Sequence, residues 1–600
     1  MAGELDICLV CPYALAAGHP VAEHVRAVSR ELAGRGHRVT VLAPSASSEA
    51  LRSGRRRLRE LAEGNGDVLR ALPGEPLAVA VGPAIPHGSR GRHSGAGLPV
   101  ATSANVALAV GSTRFDIVHV HEPLLPGVSP AALKHSRGLT VATFHAEFER
   151  AINYPLRGGK RKRLGGRIDA LIATSRAAAK RAAEVYPGEY RVIPAAIDPS
   201  FVPGSKREPE LVVCEWSTES RGVVRALVRL AASRPQMRLT LLRDRRGRRP
   251  LRPYVPVEAR GRVHTVSTSS VAERAELLGR AAVAVSLAGG DSSTAWEARA
   301  CGCAVVSPDG MAGLPFAVDQ PALAAAATAR LLDDPDLLGR LSADSLAAAG
   351  ERSPERVGGE LEELYQGLLS RRRAAERRSR PADRSLIDVD LHMHTSHSHD
   401  CATEPEALVD HCIAQGLGAI AITDHNEISG ALEAAALGKP ITIIVGEEVK
   451  TSQGEVIGLF LTERIPPRLS MAETIDEIQR QGGLVLMPHP FDRMHTIPDT
   501  ATLLRELDRI DIFEVYNSRL LFESFNDDAL RFATKYNLVQ SAGSDAHVLQ
   551  GIGTAINRIP AFDGPEEFLL AMRQNEILRR PKSLLYLQGL KWMHQVSRTG

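Results

Sequence analysis

Short apolar runs rich in Val and Ile alternate with longer segments rich in Ala, Leu and Arg along most of the chain. Such alternation predicts parallel β-sheets with helices packed on both faces. At about 150 residues per domain, the 600 residues predict three or four domains. The strand-like runs before residue 370 form two series, residues 7–10, 39–43, 117–120 and 141–144, then residues 211–214, 239–242, 283–286 and 304–307. Two α/β layers are expected there.

A charged, Arg-rich stretch at residues 371–385 contains Pro381 and lacks an apolar period, which predicts a linker. From residue 385 onward the chain has 30 Asp and Glu against 18 Lys and Arg, whereas the preceding part has 40 against 55. An acidic, His-rich unit favours cations, and a basic unit favours phosphates or an anionic surface. Residues 46–66, rich in Gly, Ser and Arg, are interpreted as a loop.

The sequence contains no apolar run of about 18 residues and does not begin with the basic segment of a signal peptide. Its seven scattered cysteines indicate no disulfide framework. We therefore expect a cytoplasmic protein. Basic runs lie at residues 55–57, 160–163 and 243–252, and the stretch at 157–163 predicts peripheral contact with anionic lipid at the inner membrane surface. Aromatic residues are sparse around them, so single-stranded nucleic acid is disfavoured, and no motif supports readout of double-stranded DNA.

The strongest functional signal is a series of potential metal ligands, each group placed at the end of an expected strand. Residues 386–393 are interpreted as a strand, which would point His392 and His394 to one face with Asp390 beside them to orient the imidazoles. Four further groups follow apolar runs: Thr423-Asp-His425, Gly446-Glu-Glu448, His489-Pro-Phe-Asp-Arg493 and Gly543-Ser-Asp-Ala-His547. The C-terminal ends of strands are where (β/α) barrels place their chemistry.

In order and over residues 386–560, these motifs resemble the polymerase-and-histidinol-phosphatase (PHP) family. The resemblance implies a distorted (β/α)7 barrel with up to three divalent ions, usually Mn, Fe or Zn. It assigns one ion to His392, His394, Glu447 and Asp545, a second to Asp400, His425 and His547, and a third to Glu447 and His489. Relatives often supply a His to this third ion where the present chain has Glu455. Glu455 would then ligate a hard ion such as Mn²⁺, unless it lies on an exposed edge and contacts nothing.

Two or three ions at such a site would activate water and bind phosphoryl oxygens, so hydrolysis of a phosphate ester is expected. Arg493 and Arg519 are the motif-linked bases that could bind the phosphate, and surface arginines are the alternative interpretation. Members of the family act on histidinol phosphate, nucleotides or DNA ends. The substrate expected here is a small-molecule phosphate ester or a nucleotide.

The N-terminal part resembles family-4 GT-B glycosyltransferases, above all the phosphatidylinositol mannosyltransferases. The resemblance spans residues 5–365 and rests on motifs that include Phe115-Asp-Ile-Val-His-Val-His-Glu-Pro123 and Val141-Ala-Thr-Phe-His145. It implies two Rossmann-like lobes with a nucleotide sugar between them, and it makes His145 the active-site histidine. The expected domains are an acceptor-side lobe at 1–200, a degenerate donor-side lobe at 201–370, a linker at 371–385 and the barrel at 386–600.

Several positions depart from the pattern of the transferase family. The Gly-Gly of its first loop is His19-Pro20, and the first glutamate of its two-glutamate element falls on Gly289. Its phosphate-binding Arg is Trp216, which removes a contact worth about 1.5–3 kcal/mol. Arg221 and Glu297 remain as contacts for a nucleotide sugar.

The leading interpretation is a PHP phosphoesterase joined to a transferase-like module with an altered donor site. Two alternatives stay open at this stage: a retaining sugar-nucleotide glycosyltransferase, and a non-catalytic module that presents substrate to the hydrolase.

Overall fold

The computed structural model describes residues 4–16, 18–85, 96–145, 167–184, 186–217, 219–243, 253–268, 270–287, 292–311, 313–372, 384–494 and 496–580. The chain divides into two compact units, Met1–Leu369 and Ser370–Gly600. The basic run at 157–163 lies outside the described residues, as do most of the run at 243–252 and most of the expected linker.

The first lobe of the N-terminal unit is a seven-stranded parallel sheet in the order β3-β2-β1-β4-β5-β6-β7. Its strands are β1 Asp6–Val10, β2 Arg38–Ser45, β3 Leu77–Pro83, β4 Ile117–His121, β5 Leu139–Phe144, β6 Ala170–Ala173 and β7 Tyr190–Val192. Its helices are α1 Pro20–Gly34, α2 Ser48–Ala62, α3 Pro99–Ser112, α4 Val128–His135 and α5 Arg176–Ala183. The prediction of a loop at 46–66 is wrong, because α2 covers most of it and buries only Gly54, Leu58 and Leu61.

The second lobe is a six-stranded parallel sheet in the order β10-β9-β8-β11-β12-β13. Its strands are β8 Glu208–Trp216, β9 Arg238–Arg243, β10 Val263–Val266, β11 Ala281–Val285, β12 Ala304–Ser307 and β13 Gly313–Pro315. Its helices are α6 Arg221–Ser233, α7 Val271–Arg280, α8 Ser293–Ala300, α9 Pro321–Asp333, α10 Pro335–Gly350 and α11 Pro354–Leu369. The final helix α11 packs against α1 of the first lobe, so the two lobes form one unit.

The C-terminal unit is a nine-stranded sheet in the order β20-β19-β18-β17-β16-β15-β14-β21-β22. Its strands are β14 Leu386–Asp390, β15 Ala419–Ile422, β16 Thr442–Thr451, β17 Gly454–Leu459, β18 Leu484–Met487, β19 Ile512–Asn517, β20 Val539–Gly543, β21 Ala555–Pro560 and β22 Glu576–Arg579. Its helices are α12 Pro405–Ala414, α13 Ser429–Ala436, α14 Met471–Arg480, α15 Thr500–Arg505, α16 Glu523–Tyr536 and α17 Gly564–Met572.

This sheet curls into a nearly closed barrel. The side chain of Asn557 on β21 accepts from the amide of Ala542 on β20 at 2.9 Å and donates to its carbonyl at 2.7 Å. Strands β14, β15, β16, β18, β19 and β20 run in one direction, whereas β17 and β21 run against their neighbours. The distortion of the expected (β/α)7 barrel lies in these reversed strands, and six strand ends meet at one mouth.

Every helix in the described ranges is too short or too polar to cross a lipid bilayer.

Candidate metal centre

Imidazoles and carboxylates from the ends of several strands converge at the mouth of the barrel. Four overlapping triplets have ligand atoms that all lie within 4.8 Å of one another: His392, His394 and Glu448; His392, His489 and Asp545; His394, His425 and His547; and His425, Glu448 and Glu455. Strand β14 ends at Asp390, two residues before His392. The two histidines nevertheless lie together, with ring centroids 5.3 Å apart.

Glu448 lies at the centre of this cluster. One carboxylate oxygen is 3.5 Å from Nε2 of both His392 and His394 and 3.0 Å from Nδ1 of His425. The other oxygen is 3.0 Å from Nε2 of His489. A single carboxylate therefore reaches four imidazoles.

The assignment of Glu447 to the metal ions must be corrected to Glu448. Successive residues of a strand point to opposite faces, so only one member of the Glu-Glu pair can face the barrel mouth. The carboxylate of Glu447 instead accepts the amide of Ile465 at 2.8 Å.

Asp545 and Asp400 hold the opposite side of the cluster. Oδ1 of Asp545 lies 3.4 Å from Nε2 of His394 and 3.4 Å from Nδ1 of His547. Oδ2 of Asp400 lies 2.8 Å from Nε2 of His547, and its Oδ1 lies 3.7 Å from Nε2 of His425. The residues expected around the second ion are thus brought together.

Glu455 enters the cluster from the reversed strand β17. It pairs with Lys450 across the ladder and so shares the face of Glu448. Its carboxylate is 4.0 Å from Nε2 of His489. Glu455 therefore faces the cluster and does not lie on an exposed edge, and its role as a ligand stays a prediction.

Hydrogen bonds outside the cluster hold both histidines of the His-x-His motif. His392 Nδ1 is 3.1 Å from Glu514, a residue that the sequence analysis missed. His394 Nδ1 is 3.2 Å from the hydroxyl of Ser398, which donates to Asp424 at 2.8 Å. The Nε2 atoms of His392 and His394 are buried and make no hydrogen bond within the described part of the chain.

Asp390 does not orient the imidazoles as expected. Its carboxylate accepts the backbone amides of Ser544 at 3.1 Å and Gly553 at 3.2 Å, because it lies at the end of β14 beside the turn after β20. Burial raises the pKa of Asp390 to about 6. This side chain supports the backbone that carries Asp545.

The electrostatics of the cluster suit cations. Burial would raise the pKa of Asp545, but Arg519 and His392 outweigh it and hold that pKa well below its usual range. Burial disfavours the charged form of His425 and of His489, yet Glu448 raises the pKa of each to about 9. Burial lowers the pKa of His394 to about 3. Ionised carboxylates with buried, unsatisfied imidazole nitrogens form a donor set for divalent ions.

The two candidate phosphate-binding arginines are placed differently. Arg519 lies at the cluster, with Nη1 3.1 Å from Oδ1 of Asp545 and 3.0 Å from Nδ1 of His547. Arg493 is exposed on the loop after β18. His397 lies outside the cluster and binds Ser429 and Glu433 at 2.9 Å each.

A second group of histidines is buried in the N-terminal unit. His145 Nε2 is 3.2 Å from Nδ1 of His121, and His24 lies beside both rings. His119 is bound by Tyr365 and Thr143 at 2.6 Å each and has a structural role. His24 Nδ1 accepts the amide of Ala196 at 2.9 Å, so its Nε2 carries the proton and cannot offer a lone pair to a metal ion.

In the second lobe, the residue expected to contact a nucleotide sugar is bound by side chains of the protein itself. Arg274 binds Glu297 through Nε at 2.7 Å and Nη2 at 2.8 Å, and Nη2 also binds Glu23 of α1 at 2.8 Å. Glu297 therefore joins an ion triad between the lobes. Arg221 is exposed at the start of α6, and Gly289 lies outside the described residues.

His19 and Pro20, which stand where the transferase family has two glycines, form the start of helix α1. His19 is the N-cap of α1 and accepts the amide of Val21 at 3.3 Å, and Pro20 occupies the first helical position.

Comparisons with known proteins match both units. A Glycosyltransferase Family 4 model matches residues 21–201, a PHP domain model matches residues 390–521, and a PHP-associated model matches residues 523–577. An uncharacterized protein of Methanocaldococcus jannaschii is 35% identical over 213 residues, which are 33% of this chain and 85% of that protein. The chain belongs to the PHP family. Its PHP domain contains all the clustered side chains except Asp545 and His547, which lie in the PHP-associated part.

The region before the PHP domain is similar to known mannosyltransferases. Phosphatidyl-myo-inositol mannosyltransferase of Propionibacterium freudenreichii is 30% identical over 175 residues, which are 29% of this chain and 42% of that enzyme. The chain thus spans less than half of that relative. Among solved structures, sucrose-phosphate synthase of Thermosynechococcus elongatus is 16% identical with a TM-score of 0.41, covering 61% of this chain and 99% of that one. Both family resemblances predicted from the motifs are confirmed.

Proposed function

We propose that the PHP domain hydrolyses a phosphate ester with the help of bound divalent ions. The observation that carries the proposal is the set of four overlapping triplets of ligand atoms at the barrel mouth. A cluster so rich in unsatisfied nitrogen and carboxylate donors is costly to bury unless cations occupy it. The burial of His392 Nε2 and His394 Nε2 without hydrogen bonds supports this fit.

The residues fall into three groups, and the first and third share Glu448. His392, His394, Glu448 and Asp545 would hold one ion; Asp400, His425 and His547 would hold a second; and Glu448, Glu455 and His489 would hold a third. Mixed imidazole and carboxylate ligation is compatible with Mn²⁺, Fe²⁺ or Zn²⁺, and the carboxylates favour the first two. Bound ions of this kind would supply the Lewis acidity that activates water and neutralises phosphate oxygens.

Arg519 would add the remaining positive charge at the site. Its guanidinium already lies against Asp545, so a phosphate next to the cluster would be within reach of a charge-assisted hydrogen bond. Arg493 would contact only the outer part of a substrate, because it is exposed on its loop. We propose a small-molecule phosphate ester or a nucleotide as substrate.

The experiment is a hydrolysis screen with the full-length protein, loaded with Mn²⁺ or Fe²⁺, against phosphomonoesters and nucleotides. We expect the wild-type protein to release phosphate. The double variant His392→Ala, Asp545→Ala should lose both its bound metal and this activity. The variant His397→Ala is the matched control, since this histidine binds Ser429 and Glu433 outside the cluster. Failure to hydrolyse any substrate with either metal would contradict the proposal.

For the N-terminal unit we propose a transferase-derived binding module rather than an efficient transferase. The contact of Arg274 with Glu297 supports this, because the carboxylate expected at the nucleotide sugar is already engaged in two hydrogen bonds. Trp216 in place of a phosphate-binding Arg weakens donor binding further. Calorimetric titration of GDP- and UDP-sugars tests the proposal. Micromolar binding with sugar transfer that His145→Ala abolishes would establish the transferase instead.

A further inference from the structure

Glu514 is a buried carboxylate on β19, a strand whose residues are all buried. Its Oε2 accepts the backbone amide of His489 at 2.7 Å and the side-chain amide of Asn517 at 3.1 Å. Its Oε1 lies 3.1 Å from Nδ1 of His392. One side chain is therefore bonded to both His392 and His489, which approach the cluster from different strands.

The two oxygens of Glu514 are not interchangeable. Oε2 accepts hydrogen bonds from two N–H groups. One of them is the backbone amide of His489, which can only donate. Oε1 faces only the ring nitrogen of His392. Since a carboxylate oxygen can only accept, Nδ1 of His392 must carry the proton in this contact.

We propose that Glu514 is a positioning residue that fixes His392 in the Nδ1–H tautomer, so that its Nε2 lone pair faces the metal position. The buried Nε2 of His392, which makes no hydrogen bond to a described residue, is the atom this tautomer leaves free. The proposal rests on the metal centre of the proposed function. A carboxylate behind a ligating histidine also raises the basicity of the ligand.

The glycine at position 543 leaves the space that the contact between Glu514 and His392 needs. A Cβ atom on Gly543 of β20 would lie 2.2 Å from Oε1 of Glu514 and 2.5 Å from Cβ of His392. Any side chain at this position would separate the carboxylate from the imidazole. A glycine at residue 543 is thus required by the pair itself.

The substitution Glu514→Gln keeps the volume of the side chain and changes only its hydrogen bonding. It therefore distinguishes control of the His392 tautomer from a role in packing alone. In Glu514→Gln the amide oxygen must occupy the Oε2 position, because two donors already point there. The NH₂ group would then face Nδ1 of His392 and force that nitrogen to accept. The proton would move to Nε2, and His392 could no longer ligate.

The test is a titration of the full-length protein with Mn²⁺, followed by the electron paramagnetic resonance signal of the free ion. Glu514→Gln is expected to weaken the tightest Mn²⁺ site by about 10–100-fold, the usual effect of losing such a partner. Circular dichroism and the unfolding midpoint should stay unchanged, since the volume and the bond to His489 are retained. Glu506→Gln is the matched control, because Glu506 is a buried carboxylate of the same unit bound to Arg509.

The outcomes separate this proposal from the proposed function. Unchanged Mn²⁺ affinity in Glu514→Gln would overturn the positioning role, even if the wild-type protein hydrolyses phosphate esters. Weakened affinity in the variant supports it, even if no substrate is turned over. A wild-type protein that binds no Mn²⁺ would overturn the positioning role, whereas the proposed function is overturned only if hydrolysis also fails with Fe²⁺.

Discussion

The guanidinium of Arg274 donates two hydrogen bonds, of 2.7 and 2.8 Å, to the carboxylate of Glu297. Both side chains are largely buried, and Glu23 from the other lobe completes the triad. Opposite charges removed from water in this way stabilise a protein only while every partner is present. The triad therefore joins the two lobes of the N-terminal unit.

Replacing Arg274 by Met should destabilise the N-terminal unit by about 3–5 kcal/mol, because two buried carboxylates lose their cation. Urea unfolding followed by tryptophan fluorescence measures this, since Trp216 and Trp296 both lie in that unit. Arg356→Met removes an exposed pair with Glu351 and should cost about 1 kcal/mol or less. Equal losses in the two variants would contradict the buried role of Arg274.

The two adjacent glutamates of β16 should behave differently on substitution. Glu448→Gln should weaken metal binding by at least about 10-fold, because this carboxylate reaches four imidazoles. Glu447→Gln should leave metal content nearly unchanged, since Glu447 binds the amide of Ile465. Elemental analysis of the purified variants decides between the two residues. The reverse result would restore the assignment made from the sequence.

Glu455→Gln should alter metal stoichiometry and selectivity. Removing one negative charge beside His489 and Glu448 should weaken Mn²⁺ more than Zn²⁺, because Mn²⁺ is the harder ion and depends more on carboxylate oxygen. Competition between the two ions, read by elemental analysis, gives the ratio. A ratio equal to that of the wild type would show that Glu455 takes no part in ligation.

Acid should destabilise the N-terminal unit through its buried histidines. Burial lowers the pKa of His24 to about 4, against 6.5 for the free group, so between these values the unfolded chain binds more protons. Stability should therefore be lost as the pH falls from 6.5 toward 4, with a slope of up to about 1.4 kcal/mol per pH unit for one group.

Urea unfolding at several pH values checks this dependence. His24→Gln should flatten the slope, because the new side chain can still accept the amide of Ala196 but does not titrate. His264→Gln, at an exposed position of β10, should leave the slope as it is. A His24 variant with the wild-type slope would assign the acid sensitivity to other groups.

The sequence predicted the barrel and most of the side chains that cluster at its mouth because each motif follows an apolar run, and parallel strands bring their C-terminal ends to one edge. It selected Glu447 instead of Glu448, since the phase of a strand is fixed by its partners rather than by the motif. Glu514 was missed, although it is the one carboxylate in the strand-like run Ile512-Phe-Glu-Val-Tyr-Asn517. A charged side chain in a buried strand is unusual and indicates a buried polar partner.

The helix α2 was missed for a different reason. It is rich in Arg and Ser and buries only a narrow stripe, so its composition resembles that of a solvated loop. Only Ser47, which accepts the amide of Ala50 at 3.3 Å, marks its start.

The reversal of β17 has a consequence for how new substrates could arise in this lineage. Strand β16 extends beyond Glu448 and forms a hairpin with β17. Two hydrogen bonds fix the tip of this hairpin: the amide of Ser452 donates to the carbonyl of Leu469, and the side chain of Gln453 accepts the amide of Met471. This hairpin carries Glu448 on β16 and Glu455 on β17, both members of the cluster at the barrel mouth. An insertion between Ser452 and Gln453 would lengthen the hairpin beside the mouth while the ladder that holds Glu448 and Glu455 stayed in place, so selection could change what enters without rebuilding the cluster.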